Sequence, residues 1–118
     1  MHINYGRPLL RVRTTTPYVE FFERVLGFSV TTSESGDMAT DDYAILSRGS
    51  MSFAFVRHVL STDEHTIEIG VSSIDDAVAE LNRRGFDAVV SVDVTEGAFA
   101  HIRVADQLLV EFEQRDYP

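Results

Sequence analysis

The segment FFERVLGF at residues 21–28 marks the end of a helix and the start of a strand. Before it, residues 14–16 are threonines whose hydroxyls suit a helix N-cap, and Pro17 suits the first helical turn. Apolar side chains recur at helical spacing, at Val19, Phe22, Val25 and Leu26. Gly27 suits the left-handed backbone that ends many helices. The segment therefore predicts a helix that stops at Gly27 and a strand that begins at Phe28.

The chain repeats this pattern in its second half. Ser73 is placed to cap a helix with Asp76 in its first turn, and Gly85-Phe86 ends that helix as Gly27-Phe28 ends the first. Laying one half on the other pairs Val12 with Val71, Val19 with Val78, Phe22 with Leu81, Gly27 with Gly85, Phe28 with Phe86, Ile45 with Ile102 and Phe53 with Val110. The offset drifts only from 59 to 57 residues along this alignment. We therefore expect an internal duplication.

Each half also predicts four strands around its helix. Alternating apolar residues and turn residues place these strands at 10–13, from 28, 43–47, 51–56, 66–71, 89–94, 100–104 and 108–113. The expected fold class is α+β, with two tandem βαβββ modules of about 7–57 and 64–114 in a single domain over residues 1–118. A lone module of about 50 residues has too little core to fold by itself, so the two sheets should pair within or between chains.

These modules resemble the vicinal oxygen chelate superfamily, which includes glyoxalase I, extradiol dioxygenases, fosfomycin-resistance transferases and bleomycin-resistance proteins. The resemblance rests on Leu10-Arg11-Val12 before the first helix, on FFERVLGF, and on Ile69-Gly70-Val71 before the second helix. It covers about Pro8 to Glu113. It implies a cupped mixed sheet of the glyoxalase/bleomycin-resistance type. It also implies a homodimer, because related proteins often combine modules from two chains.

The resemblance places metal ligands, usually His or Glu, on the first and fourth strands of each module. In this chain those positions fall on Arg7, Ala54, Thr66 and Glu111. Only Glu111 has a side chain that ligates metals, and an arginine would repel a divalent cation. We therefore expect no metal and no cofactor. The alternative is a metal-dependent lyase, isomerase or dioxygenase that uses His101, Glu111 and a third group.

The four histidines occupy different kinds of position. His65 would reach the cup only if its strand slipped by one residue, which would expose three β-branched residues, so we expect an exposed histidine at a strand start. His2 and His58 are expected in solvent. Alternation places His101 on the cup face near Glu111. Such a pair suits a hydrogen bond to a ligand or general acid–base chemistry.

Alternation along the strands predicts which side chains line the cup: Arg7, Leu9, Arg11, Ala54, Thr66, Glu68, Glu111 and Glu113. Tyr43 and His101 complete the candidate ligand-binding set, and no catalytic residue is assigned. In the functional interpretation, the carboxylates orient a cationic ligand and Arg7 holds an anionic group. Two structural alternatives stay open: Arg11 and Glu68 form an ion pair with each other, and Tyr43 only packs.

The composition narrows the possible functions. The chain has 118 residues, no Cys, and 10 basic residues that are all Arg, against 19 Asp plus Glu. These counts exclude a cysteine nucleophile, a disulfide, a Schiff-base lysine and a Walker lysine. The net charge of −9 disfavours nucleic acid and anionic membranes and favours cationic ligands. No stretch resembles a signal peptide or a membrane span, so we expect a cytoplasmic protein.

The acidic stretch Glu34–Asp42 resembles a calcium loop only in its composition. It lacks the alternating Asp order and the bidentate Glu that such loops use, so we expect a solvated loop.

The sequence therefore favours a protein that binds a small molecule. By its resemblance to the bleomycin-resistance branch, it would sequester a cationic antibiotic or a similar ligand without a metal. The metal-dependent enzyme is the second hypothesis. A third is an accessory module whose pocket is vestigial.

Overall fold

The computed structural model describes residues 1–32, 43–95 and 97–115. Within them the chain forms two compact units, Met1–Asp63 and Glu64–Pro118. The acidic stretch Glu34–Asp42 lies outside the described residues, so the expectation of a solvated loop stays a prediction. No helix in the described part of the chain is long and apolar enough to cross a membrane.

The described residues of the first unit form a four-stranded mixed sheet and a short α-helix followed by a π-helical turn. Its elements, in chain order, are β1 (Leu9–Val12), α1 (Thr16–Glu20), a π-helical turn (Phe21–Val25), β2 (Ser29–Thr32), β3 (Tyr43–Arg48) and β4 (Met51–Arg57). The strand order in the sheet is β1-β4-β3-β2. The β1–β4 pair is parallel and the other two pairs are antiparallel. Gly27 follows the helix at φ 70°, the left-handed conformation that the sequence predicts for it.

An aromatic cluster fills the core of the first unit. Phe22 lies at its centre and is fully buried. Its ring centroid lies 5.0 Å from that of Phe53 and 5.1 Å from that of Phe28, and both contacts are edge-to-face. Tyr18 stacks on Phe55 at 5.4 Å. Tyr18 and Phe22 come from the helical segment, Phe28 follows it, and Phe53 and Phe55 come from β4, so the helical segment is held against one face of the sheet.

The second unit repeats the arrangement. Its elements are β5 (His65–Val71), α2 (Ile74–Arg83), β6 (Ser91–Asp93), β7 (Gly97–Val104) and β8 (Leu108–Gln114), and the strand order is β5-β8-β7-β6. The Ser73 hydroxyl accepts a hydrogen bond from the Asp76 amide at 3.2 Å, so it caps α2 as predicted. Buried Ile74 and Leu81 place the apolar face of α2 against β7 and β8.

The predicted α+β class and the two βαβββ modules are confirmed, with three local corrections. The first helix ends in a π-helical turn, which the helical spacing did not indicate. Strand β6 covers only three of the six residues predicted at 89–94. The alignment of Ile45 with Ile102 is wrong by one residue. Two residues join β3 to β4 and three join β7 to β8, so the position equivalent to Ile45 is His101.

Candidate functional site

Acidic side chains lie together on the face of the second sheet opposite α2. Glu68 on β5 is directly opposite Glu111 on β8, and Glu111 is directly opposite His101 on β7. Glu113 lies two residues beyond Glu111 on the same face and is opposite Gly70. The strand alternation read from the sequence therefore gave the correct face for all four titratable residues.

Three carboxylates on this face form what we call the carboxylate cluster, Glu68, Glu111 and Glu113. One oxygen from each lies within 4.8 Å of the others. Glu113 is 8% exposed, Glu111 is half-buried and Glu68 is open to solvent. The cluster therefore has one buried carboxylate, Glu113, and two that solvent reaches, Glu111 and Glu68. It concentrates negative charge where a cation can reach it.

The pKa values of Glu68 and Glu113 are shifted in opposite directions. A hydrogen bond to Glu113 and the negative charge of Glu113 raise the pKa of Glu68 above its ordinary value. A hydrogen bond from Arg115 lowers the pKa of Glu113. As the pH falls, Glu68 therefore takes up a proton before Glu113 does.

His101 on β7 extends the cluster to the neighbouring strand. Its Nε2 lies 3.2 Å from Oε1 of Glu111, which is the contact that the sequence predicts for this pair. Phe99 packs edge-to-face on the imidazole with ring centroids 5.3 Å apart. The imidazole is 42% exposed, so a ligand at the cluster can also reach it. This pair is able to accept or donate one proton at the edge of the cluster.

Arg115 is a member of this site that sequence reasoning missed. Its Nε and Nη2 donate to Oε2 of Glu113 at 3.0 and 2.8 Å. Arg115 lies beside Gly70, where an added Cβ would be 3.5 Å from the Cβ of Arg115, an ordinary contact distance. Arg115 follows β8 and lies two residues after Glu113, and this spacing is the sequence signal that could have identified it. Phe99 was missed in the same way, two residues before His101 on β7.

The ten predicted ligand-binding residues divide equally between the two units. The first unit holds Arg7, Leu9, Arg11, Tyr43 and Ala54, and the second holds Thr66, Glu68, His101, Glu111 and Glu113. In the first sheet, Leu9 is opposite Ala54, and Arg11 and Tyr43 are both opposite Val56. These residues therefore share one face as predicted, although Ala54 is fully buried. Arg7 lies outside β1, with its guanidinium carbon 4.5 Å from the centre of the Tyr5 ring.

The predicted environment of one histidine needs correction. His65 begins β5 as expected, but it is half-buried and not exposed. Its backbone amide donates to the Gln107 carbonyl at 2.8 Å, which ties the start of β5 to the turn before β8. His2 and His58 are exposed as predicted, and Thr66 is also exposed.

Solved structures resemble this chain over nearly its whole length. A bleomycin resistance determinant encoded on the transposon Tn5 matches with a TM-score of 0.70 at 16% identity, covering 98% of this chain and 100% of that one. A bleomycin-binding protein from Streptomyces verticillus, complexed with copper(II)-bleomycin, matches with a TM-score of 0.67 at 20% identity, covering 98% and 99%. The fosfomycin resistance protein FosX from Listeria monocytogenes, complexed with Mn(II), matches with a TM-score of 0.74 at 12% identity, covering 97% and 93%.

This chain has the fold of these bleomycin-resistance and fosfomycin-resistance proteins. No protein-family model matches its sequence, and no curated protein matches it significantly. The four ligand positions that the resemblance assigns to a vicinal oxygen chelate metal do not fit one in this chain. Arg7 is a cation beside Tyr5, Ala54 is buried and apolar, and Thr66 offers only a hydroxyl. Glu111 alone presents a carboxylate.

Proposed function

We propose that this protein binds a cationic small molecule at the carboxylate cluster, in the manner of a resistance protein that sequesters its ligand. The observation that carries this proposal is the gathering of three carboxylates within 4.8 Å on an open sheet face. A protonated amine or amidine placed between them would receive several charge-assisted hydrogen bonds. The net charge of −9 adds a long-range attraction for the same class of ligand.

The neighbouring side chains support an organic ligand. Phe99 and His101 place two rings beside the cluster, and a planar group can pack on such surfaces while its cationic end reaches the carboxylates. One structural neighbour is described as a bleomycin-binding protein, and another as a bleomycin resistance determinant. Both descriptions favour sequestration of an antibiotic as the biological role.

The residues of the first sheet complete the proposal. We infer that the first sheet offers a ligand-binding surface of its own, with Leu9 and Tyr43 for apolar contact and Arg7 and Arg11 for an anionic group, while buried Ala54 shapes the sheet beneath them. We also infer that the chain is a single domain of two repeats, is cytoplasmic, and acts as a homodimer without nucleic acid or membrane partners.

Calorimetric titration tests the proposed ligand class. Metal-free bleomycin, copper(II)-bleomycin and a panel of other planar cationic antibiotics are titrated into the full chain, with dissociation constants of about micromolar or tighter expected for at least one of them. Glu111→Gln should weaken this binding by roughly tenfold or more, because a charge-assisted contact is lost. Glu20→Gln, which removes an exposed carboxylate from α1, is the control and should not change it. A flat response across the whole panel would refute the proposal.

A metal-dependent enzyme is the second candidate, and the carboxylate cluster is the observation that favours it. Three carboxylate oxygens within 4.8 Å are the type of ligand that Mg²⁺, Ca²⁺ or Mn²⁺ prefers, and water would complete the coordination. This set differs from the four positions that the family resemblance assigns. When bound, such an ion would supply a Lewis acid beside the proton-accepting pair of His101 and Glu111.

Metal analysis distinguishes the two candidates. The protein is purified without chelator, its metal content is measured, and its Tm is recorded with added Mn²⁺, Mg²⁺, Zn²⁺ and Ni²⁺. If the protein holds a metal ion, the purified protein should contain metal and its Tm should rise when the ion is added. An ion at 100 times its Kd stabilises the native state by about 2.7 kcal/mol. The rise should disappear in Glu111→Gln and persist in Glu20→Gln. An unchanged Tm with every ion, in metal-free protein, would eliminate the enzyme candidate.

A further inference from the structure

Arg103 on β7 lies on the same open sheet face as the carboxylate cluster. Every second residue of this strand is buried on the α2 side, at positions 100, 102 and 104. Phe99, His101 and Arg103 alternate with these buried residues and therefore face the other side. Arg103 is exposed, so a ligand that lies on the open face can reach it.

The register of the second sheet places Arg103 one row of side chains away from the cluster. Arg103 is directly opposite Leu109 on β8, and Leu109 is directly opposite Thr66 on β5. The adjacent row on the same face contains His101 and Glu111. Two residues advance a strand by about 6.8 Å and neighbouring strands lie about 5 Å apart, so the Cα atoms of Arg103 and Glu111 are separated by roughly 8 Å.

The charge of Arg103 is not neutralised within the second unit. The other three arginines of this unit each donate to a carboxylate: two on α2 bind Glu80 at 3.1 and 3.0 Å, and Arg115 binds Glu113 at 2.8 Å. The side chain of Arg103 forms no ion pair or hydrogen bond with the residues that the structure describes. Its guanidinium therefore keeps its hydrogen-bond donors for an anionic group of a ligand.

The open face of the second sheet therefore has two poles with opposite charge. The carboxylate cluster suits a cation with N–H donors, and the planar guanidinium of Arg103 suits a carboxylate or a similar oxyanion. Exposed Thr66 lies in the same row as Arg103, and its hydroxyl can donate to that oxyanion. Leu109 lies between them and is half-buried, so it offers apolar contact to the part of a ligand that joins its two charges.

We infer that Arg103 is a specificity-determining residue, which selects a zwitterionic ligand whose anionic group lies roughly 7 to 10 Å from its cationic group. The inference rests on the proposed cation site and deepens it by naming the class of ligand. A cation without an anionic group would occupy only the carboxylate cluster, so it would bind less tightly. A ligand with adjacent charges, such as an α-amino acid, is too short to contact both poles.

NMR titration of the full chain with matched small probes tests this selectivity. In 6-aminohexanoate, about five methylene groups hold the amine and the carboxylate roughly 7 Å apart, whereas hexylamine carries the amine alone. The wild type should bind 6-aminohexanoate roughly threefold or more tightly than hexylamine, because the exposed contact to Arg103 is added. Arg103→Gln should lose this preference. Arg83→Gln removes the same charge from α2, on the other side of the sheet, and should keep it.

The titrations separate failure of the inference from failure of the cation site. Hexylamine should bind the wild type, and Glu111→Gln should weaken that binding. If it does so and 6-aminohexanoate binds no more tightly than hexylamine, the role of Arg103 is overturned and the cation site stands. A preference that persists in Arg103→Gln has the same meaning. If neither compound binds, the inference falls together with the cation site on which it rests.

Reversal of the charge at position 103 gives a second readout that does not depend on lost affinity. Arg103→Glu places a carboxylate where the ligand's anionic group is bound. The ratio of affinities for 1,6-diaminohexane and 6-aminohexanoate should therefore shift towards the diamine by roughly tenfold relative to the wild type. Arg83→Glu is the matched control and should leave the ratio close to its wild-type value. An equal shift in both variants would show that only the net charge matters, and it would contradict the inference.

Discussion

The open faces of the two sheets have the same register and different chemistry. Leu9 is opposite Ala54 in the first sheet, as Glu68 is opposite Glu111 in the second. The next strand continues the correspondence, with Ile45 in the first sheet where the second has His101. The duplicated backbone therefore holds an apolar row in one unit and a row of titratable groups in the other.

Burial follows the same division. Ala54 is fully buried, whereas Glu111, at the equivalent position, keeps 22% of its side chain exposed. In the second unit, the Glu111 carboxylate keeps contact with water and with His101. In the first unit, the equivalent position is a buried alanine, Ala54. The comparison shows that the βαβββ scaffold determines where side chains point, while each unit is free to differ in what those side chains do.

The largest expected effect comes from breaking the cores at equivalent positions. Phe22→Ala in the first unit should lower the free energy of unfolding by about 3 to 5 kcal/mol, because it removes the centre of the aromatic cluster. Leu81→Ala, its counterpart in the second unit, should cost about 2 to 4 kcal/mol. Urea unfolding measures both. A larger loss for Leu81→Ala than for Phe22→Ala would show that the aromatic cluster is not the stronger core.

A smaller effect on the free energy of unfolding is expected when the residues at the equivalent positions 54 and 111 are exchanged between alanine and glutamate. Ala54→Glu would bury a carboxylate without its partners and should destabilise the chain by roughly 3 kcal/mol. Glu111→Ala should have little effect on stability, since it relieves repulsion within the carboxylate cluster. Thermal and urea unfolding of the two variants provide the comparison. The predicted difference between the units is refuted if Ala54→Glu is as stable as the wild type.

The smallest effect concerns the pH dependence of the second unit. Because the folded-state pKa of Glu68 is raised above the ordinary value of 4.5, folding favours the protonated form. This contribution to stability is fully present below pH 4.5 and is lost as the pH rises through the raised pKa. Glu68→Gln imitates the protonated form at every pH. It should therefore be more stable than the wild type at neutral pH, and the two stability curves should converge in acid.

Measurements of Tm against pH for both proteins show whether the curves behave in this way. Glu20→Gln is a suitable control, because it removes one carboxylate from the first unit and leaves the cluster intact. Its curve should run parallel to that of the wild type. A Glu68→Gln variant that is less stable than the wild type at neutral pH would show that the ionised form of Glu68 stabilises the fold.

The sequence was sufficient to predict the fold and most of the candidate site. Strand alternation is strict, so it identified the face on which Glu68, Glu111 and His101 lie. The duplication supplied a second, independent estimate of the same register for β1, β4, β5 and β8. The helix ends were also predicted, because Gly27 and Gly85 both adopt the left-handed conformation that glycine favours.

The remaining features depend on interactions that alternation does not describe. Turn lengths of two and three residues differ between equivalent hairpins, and this single residue displaced the predicted alignment of Ile45. Arg115 packs beside Gly70 on the neighbouring strand while it bonds to Glu113. His65 lies beside the turn at Gln107, whose carbonyl accepts a hydrogen bond from the His65 amide. Each is a property of packing between segments that are distant in sequence.

The size of the side chain at position 70 should control the pKa of Glu113 in the cluster. A methyl group at position 70 would rest against the stem of Arg115 at 3.5 to 3.6 Å, an ordinary van der Waals distance, while a longer side chain would push the guanidinium away from Glu113. The pKa of Glu113 would then rise towards its ordinary value, because the hydrogen bond that lowers it is lost. An uncharged, graded series of residues at this one position could thus tune how strongly the buried carboxylate holds its charge, with every acidic and basic residue of the chain left in place.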